Sequence, residues 1–92
     1  DLTLTTEKPV TVEAINEAMK KAASSSAMKG YLYYTNEQLV SSDFIGHPAS
    51  SIFDGTLTKT LGDRFAKVFS WYDNEWGFSE RMVDLVKLVA SR

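Results

Sequence analysis

The chain has 92 residues, no cysteine, and ten basic against twelve acidic side chains for a net charge of −2. That length suits one small domain burying roughly two-thirds of the surface its unfolded form exposes, and not two independent cores. The composition excludes disulfides, thiolate metal sites and a cysteine nucleophile within these residues, offers no basic stripe for nucleic acid, and contains no apolar run near the ~20 residues that span a bilayer.

Asp1 to Thr6 alternates Leu2 and Leu4 with threonines and reads as a strand. There is no Met start and no signal-peptide pattern, so position 1 reads as a cut end and a cytoplasmic location is expected. Pro9 ends the strand because it has no donor for the ladder. A helix follows, with Thr11 as N-cap, Glu13 in the first turn, and an apolar stripe of Val12, Ile15, Met19 and Ala22. Glu17 and Lys21 stand four apart and are expected to pair on its wet face. Ser24-Ser25-Ser26 closes it.

Tyr31 to Tyr34 reads as a short strand, Leu39 to Ile45 as a further extended stretch broken by Gly46-His47-Pro48, and Ser50 to Phe53 as another strand ending at Asp54-Gly55. Thr56 to Leu61 alternates and is rich in β-branched residues. Gly62-Asp63 forms the bend of a hairpin, and Phe65 to Tyr72 is the return strand. Both faces of that strand carry apolar bulk, which places it centrally in its sheet. Asp73 or Asn74 caps a last helix, in which Met82, Val83, Leu85, Val86, Leu88 and Val89 cover more than half the circumference. Such a helix needs two partners. Its own sheet is expected to be one, and the other lies outside these residues. The order is β-α-β-β-β-β-β-α, an α+β fold with a mostly antiparallel or mixed sheet and helices on one face.

Few residues offer chemistry. His47 is the only histidine and reads as an exposed loop residue, with no cysteine or second histidine to complete a triad or a metal site. Asp43, Asp54, Asp63 and Asp73 stand at strand ends, where aspartate makes turns. The five glycines have no phosphate-loop spacing, so a dinucleotide-binding domain is not contained here. The informative segment runs from Trp71 to Phe78. Two readings of it stand side by side: Asn74 caps the helix while the aromatics fill the core, or the strand's carboxyl end faces a ligand whose amide group Asn74 reads through its own donor and acceptor.

At this point the sequence resembles the glyceraldehyde-3-phosphate dehydrogenase family. The run Ser70-Trp71-Tyr72-Asp73-Asn74-Glu75-Trp76-Gly77 carries the resemblance most strongly. Asp1-Leu2-Thr3 with Glu7-Lys8-Pro9, Met28-Lys29-Gly30, Tyr34-Thr35, Val40 to Gly46, Ser50 to Asp54, and Arg81 with Asp84-Leu85 extend it in family order over nearly all of the chain.

The resemblance implies that residues 1–92 are the last part of a catalytic domain, with the Rossmann domain and the first part of the catalytic domain absent, and that the final helix packs against that Rossmann domain. It implies a phosphorylating aldehyde dehydrogenase of glycolysis that uses NAD and works as a homotetramer on a small aldehyde phosphate. The family's cysteine nucleophile and histidine base lie upstream, so the chain alone is expected to be inactive and to hold NAD only weakly. His47 does not match that base. The resemblance gives Asn74 contact with the nicotinamide carboxamide and places Phe78 beside the ring, where the family more commonly has tyrosine. Phenylalanine also occurs in relatives such as erythrose-4-phosphate dehydrogenases. The alternatives are therefore a segment of such an enzyme, or a free-standing, non-catalytic α+β binding module.

Overall fold

The computed structural model describes residues 1–92. Two helices accompany six short strands, which form two separate three-stranded sheets. Strand β1 (Leu2–Thr5) leads to α1 (Val12–Ala23), then β2 (Leu32–Thr35), a 3₁₀ turn (Ser41–Phe44) and β3 (Ser51–Asp54). Next come β4 (Lys59–Leu61), β5 (Phe65–Val68), β6 (Ser70–Trp71) and α2 (Trp76–Ala90).

Most local expectations hold. Thr11 caps α1, its hydroxyl accepting the Ala14 N–H at 3.0 Å, and the stripe of Val12, Ile15, Met19 and Ala22 is the half-buried side of that helix. Gly62, at φ 65°, supplies the left-handed residue between β4 and β5. Glu17 and Lys21 form no ion pair. Such an exposed pair gains only a few tenths of a kcal/mol, which the side-chain entropy of holding it offsets.

Two strand expectations fail, and they cancel in the element order. Leu39 to Ile45 is not extended. Asp43 reaches back to accept the Val40 N–H at 2.8 Å and winds the segment into the 3₁₀ turn, which buries Phe44. The stretch from Phe65 to Tyr72 is not one strand. It divides at Phe69, so that β5 lies between β1 and β4 in one sheet while β6 lies on the edge of the other, antiparallel to β3. The Phe69 carbonyl accepts the Asp54 N–H at 3.0 Å and joins the two sheets at that corner. The expected central position therefore holds for Phe65–Val68 alone. The second sheet is mixed, with β2 parallel to β3.

The core is small. Phe44, Ala49 and Ile52 form its buried centre, with Leu39 and Trp71 packed against them. Helix α2 does not lie along either sheet, contrary to expectation. It is fastened near its start, where Gly77 is buried against the Ala49 carbonyl and Arg81 bonds Ser50 Oγ at 3.2 Å and stacks over the Tyr31 ring at 4.6 Å. Beyond Arg81 its apolar residues are exposed, Val86 by 65% and Val89 by 64%. A 15-residue helix needs tertiary cover along its length to contribute stability, and these residues supply it for the first turns only.

Candidate functional site

The connection between β6 and α2 forms one side of an open groove of about 300 Å³. Tyr72, Asp73, Asn74 and Glu75 line that side, and Ser41, Phe44 and Ile45 line the other. The base of the groove is held by Trp71. Its ring stacks on Phe44 at 5.5 Å between centroids, and its indole N–H donates to Asp54 Oδ2 at 3.0 Å. Asp54 is buried and also accepts the Thr56 N–H at 3.0 Å through Oδ1, with the Thr56 hydroxyl on the same oxygen at 2.5 Å. Three donors thus replace the water this carboxylate gives up on burial.

The choice of cap that the sequence leaves open falls on Asp73. Its Oδ1 accepts the N–H groups of Glu75 and Trp76 at 3.0 and 2.9 Å, and its Oδ2 accepts the Gly46 N–H at 2.8 Å. These bonds, led by the one from Gly46 and followed by that from Trp76, pull the Asp73 carboxyl below its ordinary value of 3.8, against a smaller opposing effect of desolvation. Asn74 takes no part in the capping. Its amide is exposed at the groove and makes no hydrogen bond within the chain.

Phe78 is also exposed, by 66%, but it does not line the groove. The structure therefore brings Asn74 and the 3₁₀ turn together and leaves Phe78 outside that wall. The aromatics of this segment do not fill the core as one group. Trp71 packs inward, whereas Tyr72, Trp76 and Phe78 are exposed. Tyr72, Trp76 and Phe78 thus leave aromatic surface open around the start of α2.

The other candidates have structural tasks. His47 is half-buried and not the exposed loop residue expected: its Nδ1 accepts the Ala49 N–H at 3.1 Å, and its ring leans on Tyr33 at 4.9 Å. Asp43, Asp54 and Asp73 each accept a backbone N–H two or three residues away, as turn-making aspartates do. No cluster of histidine and carboxylate side chains has the arrangement of a metal site, and no helix is long and apolar enough to cross a membrane. The groove wall at Ser41, Phe44 and Ile45 escaped the sequence reading. Its one legible signal is Asp43, three residues after Val40, a spacing at which the side chain reaches back to the backbone.

Fold and groove together define an α+β unit that presents a free carboxamide where a strand passes into a helix. The chain belongs to the glyceraldehyde-3-phosphate dehydrogenase family. Residues 1–74 match the family model described as glyceraldehyde 3-phosphate dehydrogenase, C-terminal domain. The chain is 56% identical over 89 residues to a glyceraldehyde-3-phosphate dehydrogenase of Mycobacterium avium, covering 97% of this chain and 26% of that protein. It is 51% identical over 90 residues to that of Coccidioides posadasii (strain C735), covering 98% and 26% respectively. To glyceraldehyde-3-phosphate dehydrogenase 1 of Caenorhabditis elegans it is 48% identical over 92 residues, covering 100% and 27%. The chain thus spans about a quarter of the length of the curated relatives it matches.

Proposed function

We propose that these residues are the C-terminal part of the catalytic domain of an NAD-dependent, phosphorylating glyceraldehyde-3-phosphate dehydrogenase, a cytoplasmic homotetramer, and that Asn74 holds the nicotinamide carboxamide. The observation that carries this reading is the division of labour at the junction. Asp73 satisfies the helix start, so the Asn74 amide stays free at the groove. A primary amide offers donors through Nδ2 and an acceptor through Oδ1, which complements a second carboxamide. The groove suits that end of the cofactor and no more, because the chain has no glycine-rich phosphate loop.

NAD, when bound, supplies the hydride acceptor. The contribution of this chain is orientation: a hydrogen-bonded carboxamide fixes which ring face is turned to the substrate, and Phe78 adds an aromatic surface beside it. The covalent step needs a thiolate, which these residues lack, so the cysteine and its histidine base belong to the upstream part of the polypeptide. The uncovered apolar side of α2 packs, on this reading, against the Rossmann domain.

The test is a full-length chimera in which these 92 residues replace the homologous segment of the Mycobacterium avium relative. It should reduce NAD with glyceraldehyde 3-phosphate and phosphate, whereas the 92-residue chain alone should not. Asn74→Ala in the chimera should lower kcat/KM roughly tenfold to a hundredfold, because a lost bond to a buried partner and a small misplacement of the reacting carbon are both costly. Unchanged NAD affinity and turnover in that variant would remove the cofactor role. Preference for erythrose 4-phosphate over glyceraldehyde 3-phosphate would move the assignment to the other aldehyde.

A further inference from the structure

The two walls of the groove come from segments far apart in the chain, and one side chain joins them. Gly46, directly after Ile45, gives its N–H to Asp73 Oδ2 at 2.8 Å across 27 residues of sequence. It is the one hydrogen bond between the segment 41–46 and the segment 72–75. Helix capping does not require it. The Glu75 and Trp76 N–H groups are both met by Oδ1, and a single side-chain oxygen is all that an N-cap uses. The second oxygen is committed to Gly46, whose φ of 80° turns the backbone sharply between Ile45 and His47. Asn74 follows directly on this doubly held residue. Its free amide projects from a backbone that is otherwise exposed and only lightly packed.

We propose that Asp73 is a positioning residue, whose carboxylate straps the 46 turn to the start of α2, sets the separation of the groove walls and so holds the Asn74 amide where the nicotinamide carboxamide meets it. The inference rests on the cofactor role given to Asn74 above. A bond from an ionised acceptor to backbone N–H is roughly twice as strong as a neutral one. Here it is the one hydrogen bond between two loops that otherwise meet through the stacking of Phe44 on Trp71. With the strap released, the cap and the fold persist while the walls move apart.

Two variants of the full-length chimera separate strap from cap. Asp73→Ser keeps an N-cap oxygen, since serine ranks with aspartate at that position, but is too short and has no second oxygen for Gly46. Asp73→Asn keeps Oδ1 for the helix and turns an N–H group toward the Gly46 N–H. Both should raise the KM for NAD roughly tenfold, as Asn74→Ala does, with kcat lowered less and with the thermal midpoint lowered only by the acid-sensitive share that the ionised strap contributes. Asp73→Glu should not rescue, because its longer stem moves both oxygens. Hydrogen exchange read by mass spectrometry should show faster exchange of the Gly46 peptide in the serine variant. An unchanged KM for NAD in both variants, while Asn74→Ala raises it, would overturn the inference. So would unchanged exchange at Gly46. If Asn74→Ala itself leaves the KM for NAD unaltered, the cofactor reading is what has failed, and with it the positioning role, whereas exchange at Gly46 still decides whether the strap exists.

Discussion

The indole N–H of Trp71 donates to the Asp54 carboxylate at 3.0 Å, and this bond anchors the strand that leads to Asn74. Asp54 stands at the end of β3 and Trp71 at the end of β6, the two strands being antiparallel neighbours. The pair fastens the bottom of the groove, while Asp73 spans its mouth.

Asp54→Ala should be among the most damaging substitutions in the chain. The carboxylate is 1% exposed and serves Trp71 Nε1, the Thr56 N–H and the Thr56 hydroxyl. Removing it leaves buried donors without partners and opens a void, for a loss of about 3 kcal/mol. Asp54→Asn keeps one acceptor oxygen and should lose about half as much. Denaturant titration of the full-length chimera, with tryptophan fluorescence as the probe, checks both values and their order.

Gly77→Ala reports on how α2 is seated. A Cβ at that position would stand 3.0 Å from the Ala49 carbonyl oxygen, a backbone atom of a buried residue that cannot swing aside. Overpacking of this kind costs about 1–3 kcal/mol, and the better helix propensity of alanine returns about 1 kcal/mol. The expected net result is a loss of about 1 kcal/mol and a weakened Arg81–Ser50 contact, while Gly77→Val should lose more. A thermal midpoint raised by either substitution would show that the helix start is not seated on Ala49.

Asp73 gives the structure a dependence on acid. Its folded carboxyl is lowered from 3.8 by the Gly46, Trp76 and Glu75 N–H groups. Its contribution is therefore complete above the ordinary value and is lost as pH falls through the lower, folded value. As pH falls from about 5 through the lowered folded value, the chimera should lose midpoint temperature with a component that Asp73→Asn lacks. Identical pH profiles for the two proteins would contradict the ionised strap.

The 92-residue chain on its own should associate with itself. Met82, Leu85, Val86, Val89 and Ala90 line an apolar depression of about 380 Å³ on α2 that nothing in the chain covers. Contiguous apolar surface of this kind drives association. Val86→Lys together with Val89→Glu should reduce the apparent mass in sedimentation and the binding of an apolar dye. A monodisperse parent chain that binds no dye would count against the prediction.

Much of the molecule is legible in the sequence because it is set by local physics. The Thr11 cap, the stripe from Val12 to Ala22, the Gly62 hairpin and the outward apolar excess of α2 follow from capping, periodicity and turn chemistry within a few residues. The run from Ser70 to Gly77 is equally local, and it carries the resemblance to the family most strongly. What only the tertiary structure decided depends on contacts between distant segments. Whether Leu39 to Ile45 extends or winds turns on Asp43 and on the pocket that Phe44 finds beneath Trp71. Whether Phe65 to Tyr72 stays in one sheet turns on the Phe69 carbonyl meeting Asp54. Either Asp73 or Asn74 can cap a helix by its chemistry, and the fold gives the task to Asp73, whose second oxygen meets the Gly46 N–H. Local propensity names the residues able to make a bond, and only the fold brings their partners to them.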